Sequence, residues 1–269
     1  MIVIRNCEGF DELEACVRMQ VETWGFEQSD TIPRKAFLVM QKVGGQLIGA
    51  FDTALPGAAP GGGPDSMIGF AMSLPGVKPP MSFPQGGPRP YLHSHLLAVQ
   101  EPYRNQGIGA QLKLAQRRDA LDRGIRLMEW TFDPLEIKNA YLNIHKLGAI
   151  VSTYRPDFYG VSSSRLQGGL PTDRLLAEWH LDSARVLSHL EGPPRAVPVI
   201  QERITVPASI YQWKASDQDR HLALAVQTQN RLKFQQAFSR GLAVLDFTRD
   251  ADGNGIYELG PLSQPDAGI

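Results

Sequence analysis

Two histidines stand two residues apart in Tyr91-Leu-His-Ser-His-Leu-Leu-Ala-Val99, and two glycines follow in Arg104-Asn-Gln-Gly-Ile-Gly-Ala110. An imidazole with an ordinary pKa of about 6.5 accepts a proton at neutral pH, so His93 and His95 are candidates for a general base. The alternative for each is a buried histidine satisfied by a backbone oxygen. Metal binding by the pair is disfavoured, since no third ligand is identifiable. The glycines offer different chemistry. Directly before a helix, such a turn presents backbone N–H groups without intrahelical partners at the positive end of the helix dipole, where a phosphate is stabilised.

The elements that must hold these groups are a strand and a helix. Residues 91–99 read as a buried strand, mostly apolar and bounded by Pro90 and the Gln100-Glu101-Pro102 turn. Residues two apart on a strand point the same way, which predicts both imidazoles on one face with Leu97 and Val99. Ile108, Leu112 and Ala115 fall at helical spacing in a segment running through Arg123, and Gly124 is a stop signal. Two nucleotide motifs fail at the turn. The dinucleotide fingerprint needs a third glycine where Leu112 stands, and a Walker loop needs a Lys-Ser/Thr pair that is absent. The pattern Arg/Gln-x-x-Gly-x-Gly/Ala does fit, in Arg104-Asn-Gln-Gly107-Ile-Gly109.

With that pattern placed after His93-Ser-His95-Leu-Leu-Ala-Val99, the sequence resembles the GNAT superfamily of acyl-CoA-dependent N-acyltransferases over roughly residues 1–160. The resemblance implies a pyrophosphate-binding loop in which Asn105, Gln106, Gly107, Ile108, Gly109 and Ala110 donate amides to CoA. Arg104 would neutralise charge or position that loop. The backbone around Leu97, Ala98 and Val99 would hold the pantetheine arm and the thioester oxygen. Acetyl-CoA is the implied cosubstrate, with no metal. His-x-His-x-Leu-Ala-Val is locally similar to the serotonin N-acetyltransferases, whose paired histidines on this strand serve amine deprotonation; His95 is slightly favoured, lying nearer Leu97 and Val99. The family's general acid is a tyrosine in the helix after strand five. Anchoring its pattern on Ala140 and Gly148 puts Ile137 at the asparagine position and Ile144 at the tyrosine position. Tyr141, about one helical turn earlier, is the candidate substitute, the alternative being an ordinary core or surface tyrosine, and Asn139 and Asn143 are candidates to reach the pantetheine arm. Asp133 either orients a histidine, binds a cationic acceptor or caps the following helix.

The rest of the chain fits a mixed α/β sheet. Ile2–Ile4 reads as a strand, Asp11–Trp24 as a helix capped by Asp11, and residues 37–43 and 46–51 as a hairpin about Gly44-Gly45. A strand is expected at 67–74 after the Gly- and Pro-rich loop 56–64, which is expected to be mobile. The segment 75–90 is expected either to shape the acceptor pocket or to be a solvated connector. Residues 125–132 and 150–154 read as strands flanking a helix over 135–146. Strands alternating with helices suggest a parallel centre beside antiparallel N-terminal strands. Beyond 160, strands are expected near 175–181, 203–206, 241–247 and 256–259, with helices over 183–190 and from Ser216 or Asp217 to about Phe238. This reads as a C-terminal subdomain, 161–269, that loosely echoes residues 135–155 as a degenerate half-GNAT unit.

Composition bounds the setting. The 269 residues are 42% hydrophobic and 20% charged, ordinary for a globular protein with a proper core. A net charge of −1 provides no basic field for nucleic acid. Cys7 and Cys16 lie in no metal-spacing motif, no signal-like N-terminal run is present, and no stretch of 18 apolar residues exists. The expectation is a cytoplasmic acyltransferase acting on a small-molecule or peptide amine, with a homodimer allowed and no membrane or nucleic-acid partner. The alternative is a CoA-binding sensor or interaction module without turnover.

Overall fold

Apolar residues on both faces of consecutive strands require helices on both sides, and the first part of the chain supplies them. The computed structural model describes residues 1–79, 88–192 and 197–262. Its first elements are β1 (Ile2–Asn6), α1 (Gly9–Trp24), α2 (Arg34–Lys42), β2 (Gln46–Asp52), β3 (Met67–Lys78), β4 (Arg89–Val99) and α3 (Ile108–Asp122). They run β1-β2-β3-β4 across the sheet, each pair antiparallel. On one face Leu13, Cys16 and Met19 of α1 and Phe37 and Met40 of α2 pack on Phe70, Met72, Leu96 and Ala98. On the other, Ile108, Leu112 and Ala115 of α3 cover Ile48, Ala50, Ile68 and Ala71. β2 is buried along both faces as a result.

Residues 37–43, expected as the first arm of a hairpin, belong to α2 instead. Phe37 and Met40, three apart, are buried while Leu38 and Val39 are 43% and 58% exposed, a helical period and not a strand period. The Gly44-Gly45 turn therefore joins a helix to β2, and β2 finds its partners in β1 and β3. α1 begins at Gly9 with Glu8 at its cap position, so Asp11 lies in the first turn and is not the cap. The loop 56–64 is tied down in part: Arg5 donates from Nε to the Gly61 carbonyl at 3.0 Å. Residues 75–78 extend β3, pairing with 89–92, so the β3–β4 ribbon is longer than the sequence suggested. The remainder of the 75–90 segment, residues 80–87, lies outside the described residues.

The later elements are β5 (Leu127–Phe132), α4 (Ile137–Ala140) continued by a π-helical turn (Tyr141–Lys146), β6 (Ile150–Arg155), β7 (Arg174–His180) and α5 (Ala184–Glu191). After them come β8 (Glu202–Val206), α6 (Ile210–Ala215), α7 (Arg220–Ser239), β9 (Leu242–Arg249) and β10 (Gly255–Pro261). Their strand order is β5-β7-β6-β9-β10-β8. β6 has antiparallel neighbours on both sides, β7 and β9. The helix expected from Ser216 or Asp217 starts at Arg220, because Ser216 and Asp217 lie in the turn that follows α6. Together these elements give a mixed α/β fold.

The chain forms two compact units: Met1–Met128 with Ser163–Arg165, and Glu129–Ser162 with Leu166–Ile269. The first unit recovers its short distant segment through polar contacts. Ser163 donates from Oγ to Asp30 at 2.6 Å and accepts from the Glu27 amide at 3.0 Å. The second is centred on aromatic packing, with Phe234, Phe247 and Tyr257 all fully buried and in edge contact about Tyr257.

Candidate active site

β4 is irregular where the histidines lie. Met72 pairs with Leu96 and Ser73 with Ser94, so His95 is the extra residue of a β-bulge. The bulge breaks the period of two. Beyond it, Leu97 and Val99 pack toward α3, and Leu96 and Ala98 toward α1 and α2. Before it, Ser94 is the residue that reaches α3, through Lys113 and Gln116. His93, paired with Leu74, therefore stands on the opposite face from Leu97 and Val99, and the expected shared face does not form. The imidazoles remain neighbours, with ring centroids 6.1 Å apart. Partial loss of hydration lowers the pKa of both, although His93 is half-buried and His95, the bulged residue, is exposed. His93 falls to about 4, helped by the nearby charges of His95, Lys113 and Lys78. Both rings are thus largely neutral at pH 7.

After β4 the chain makes a short turn at Glu101–Tyr103 and enters α3 through Asn105 at φ 63° and Gly107 at φ 82°. Two left-handed residues so close together turn the chain sharply into the helix. Gly107 is the N-cap, no side chain among the described residues caps it, and a Cβ built there meets nothing within 4 Å. The first amides of α3 therefore have no side-chain cap among the described residues, and the space beside Gly107 is open. The motif side chains serve the loop's shape. Arg104 donates from Nε to the Val99 carbonyl at 3.0 Å, and Gln106 donates to the Pro102 carbonyl at 2.8 Å. Tyr103 adds an anchor, donating its hydroxyl to Asp52 at 2.9 Å and, with the Ala54 amide, holding that carboxyl below its ordinary pKa.

In the second unit Asn139 is exposed at the end of α4, and Asn143 is buried. Ile144 is fully buried, a core residue at the position where the tyrosine was sought. Tyr141 opens the π-helical turn, a feature that adds one residue to a helical cycle and shifts the faces after it. Its ring stacks on His145 at 4.7 Å and lies beneath Arg249 and Lys146, at 5.0 and 5.6 Å. His145 in turn meets Asp246 at 3.0 Å through Nδ1. Asp133 accepts from the Leu135 amide and from Lys214, both at 2.8 Å, which occupies both carboxylate oxygens in structural bonds.

Sequence reasoning missed the bulge, the π-helical turn and the buried Lys113. A signal for the last was present: Gln46, Ser73 and Ser94 are isolated polar residues within apolar strands, and all three are buried.

No family model and no curated protein matches this sequence. Solved structures do. The structure of Arabidopsis thaliana NAA60 in complex with acetyl-CoA is similar at 15% identity with a TM-score of 0.54, covering 66% of this chain and 98% of that one. Arabidopsis thaliana NAA60 in complex with a bisubstrate analogue is similar at 15% identity with a TM-score of 0.52, covering 66% and 97%. The fold is that of the GNAT acyltransferases. The likeness lies in the course of the backbone, and it spans nearly the whole of those chains while leaving about a third of this one outside. In the GNAT fold of this chain, the strand with the bulge and the helix with the open N-terminus are consecutive elements joined by residues 100–107.

Proposed function

We propose that this chain is an acyl-CoA-dependent N-acyltransferase, moving an acetyl or other acyl group from CoA to an amine on a small molecule or peptide. The observation that carries this reading is the uncapped start of α3, with Gly107 left-handed and its surroundings open, directly after the bulged β4. The amides of Asn105 through Ala110 would hold the pyrophosphate, and the backbone of Leu97, Ala98 and Val99 the pantetheine arm, with Asn139 as a further contact. Arg104 acts by fixing the loop. The fold neighbours in complex with acetyl-CoA and with a bisubstrate analogue support acetyl-CoA as cosubstrate. We assign the catalytic role to residues 1–160 and read 161–269 as an added half-GNAT pattern, a division by sequence that cuts across the second compact unit, Glu129–Ser162 with Leu166–Ile269. A cytoplasmic setting and a homodimer belong to the same proposal. Among the described residues no helix is long and apolar enough to cross a membrane, and no group of residues could hold a metal.

In the reaction an ammonium must lose a proton, its nitrogen then attacks the thioester carbonyl, and the adduct collapses with loss of the nitrogen's second proton and breaking of the C–S bond, the CoA thiolate leaving to be protonated. A neutral imidazole can take that proton, through water or directly. His93, at about 4, is a poor match for an ammonium near 10. His95 is the stronger candidate base, with His93 assisting. Tyr141 remains the candidate proton donor to the thiolate. A second reading, a CoA-binding module without turnover, is favoured by one observation: a buried isoleucine, Ile144, fills the place of the family's acid.

Calorimetric titration with acetyl-CoA tests the premise common to both readings, and absence of binding would sink both. A thiol-release screen across amines, amino acids and peptides then separates them. Release dependent on an acceptor establishes the enzyme, and binding without release the module.

A further inference from the structure

Between β4 and α3 lies a polar cluster in an otherwise apolar layer. Lys113, 3% exposed, donates from Nζ to Ser94 Oγ at 2.8 Å, and Ser94 donates to Gln116 Oε1 at 3.1 Å. Ser73, the strand partner of Ser94, donates to Gln46 Oε1 at 2.8 Å. Gln46 donates in turn to the Gln116 carbonyl at 2.8 Å and to Asp119 at 2.7 Å. The two serines paired beside the bulge are thus both tied to polar groups at the α3 side of the sheet.

Such a cluster is expensive. Burial pushes the Lys113 ammonium well below its ordinary pKa. A group with a depressed lysine pKa binds fewer protons folded than unfolded, so at neutral pH it subtracts from stability. An apolar residue at 113 could pack as Leu112 does. What the cluster adds is direction. A one-residue slip of β4 would bring an imidazole to the place of Ser94 and leave buried donors and acceptors mismatched, a penalty that apolar side chains would not impose.

We propose that Lys113 is a positioning residue: through Ser94 it fixes the register of β4 at the bulge and so sets the side of the sheet on which His93 and His95 stand. The consequence for turnover rests on the acyltransferase reading, whereas the effect on the imidazoles does not.

The test uses the full chain. Lys113→Met keeps much of the side-chain length and removes the donor; Ser94→Ala removes the acceptor with a smaller change of volume; Ser94→Thr keeps the hydroxyl. Two-dimensional NMR of labelled histidines reads the ring environments without turnover. In the Met and Ala variants the His93 and His95 signals are expected to shift or double, while Ser94→Thr keeps the wild-type positions. CoA affinity should stay within about twofold. The turnover number should fall about 10²-fold, with KM for acetyl-CoA unchanged, as for a displaced catalytic group. Unchanged ring signals in either folded variant overturn the proposal. Shifted signals with full turnover also overturn it, since the cluster would then be only structural. Should Lys113→Met fail to fold, Ser94→Ala decides by the same signals. If the wild type transfers no acyl group to any acceptor, the functional reading fails, and the ring signals still decide the role of Lys113.

Discussion

At Gly107 the constraint is conformational, since its φ of 82° lies in the left-handed region and nothing crowds a Cβ there. A β-branched residue would be strained in that conformation and would put its side chain into the open space beside the helix start. Gly107→Val is expected to weaken CoA binding at least about tenfold, or about 1.4 kcal/mol, with the fold intact, as read by calorimetry and circular dichroism. The histidines give a second prediction at this scale. A base must be deprotonated to act, and both imidazoles have lowered pKa values, so the ascending limb of the rate against pH should fall below about 6.5. His95→Gln should remove that limb and slow the catalytic step by roughly 10²–10⁴-fold while sparing CoA binding. Full turnover and an unaltered limb in both His93→Gln and His95→Gln would make the rings structural. Tyr141→Phe retains the ring beneath Arg249 and loses only the hydroxyl, so a fall in turnover would assign the proton to Tyr141.

Elements show where pattern misleads. The run 37–43 is apolar enough for a strand, and its helical period emerges only when Phe37 and Met40 are seen to bury together. Phe37 is fully buried against Phe70, and Phe37→Ala should cost about 3–5 kcal/mol in denaturant unfolding. In the second unit the buried Lys214 holds Asp133 and Glu136, each at 2.8 Å, and ties α6 to the segment after β5. Removing the cation strands two carboxylates, one of them buried, so Lys214→Met should destabilise by about 3–5 kcal/mol. The lysine pKa is raised by these carboxylates. Its contribution is therefore complete below its unfolded pKa of about 10.5 and is lost as pH rises from there through the folded value. Unfolding midpoints between pH 9 and 12 should fall more steeply in the wild type than in the Met variant.

At the scale of the whole chain, α7, β9 and β10 are woven into the second unit. β9 pairs with β6, Ile150 packs with Ala243 and Leu245, and Tyr257 donates to the Pro134 carbonyl at 2.8 Å. Arg231 grips the fully buried Asp173 through two bonds of 2.8 Å. Truncation after residue 181 should therefore expose the β6 edge and abolish cooperative unfolding of that unit, as calorimetry would show. A truncated chain that kept one sharp transition of full enthalpy would refute this.

The strand, turn and helix of residues 89–122 were legible in the sequence because their signals are local: an apolar run, left-handed glycine, and a stripe at helical spacing. The same holds for β7, α5, β9 and β10, whose turns and caps lie beside them in the chain. The sequence by itself thus determined the fold class and the open helix start. Tertiary structure decided the rest. Which face His93 presents depends on a bulge beside the paired Ser73 and Ser94, whose polar partners Gln46, Lys113 and Gln116 come from parts of the sequence up to 70 positions apart. No local period carries that information, since an extra residue in a strand costs nothing until a partner strand and a covering helix fix what must face inward.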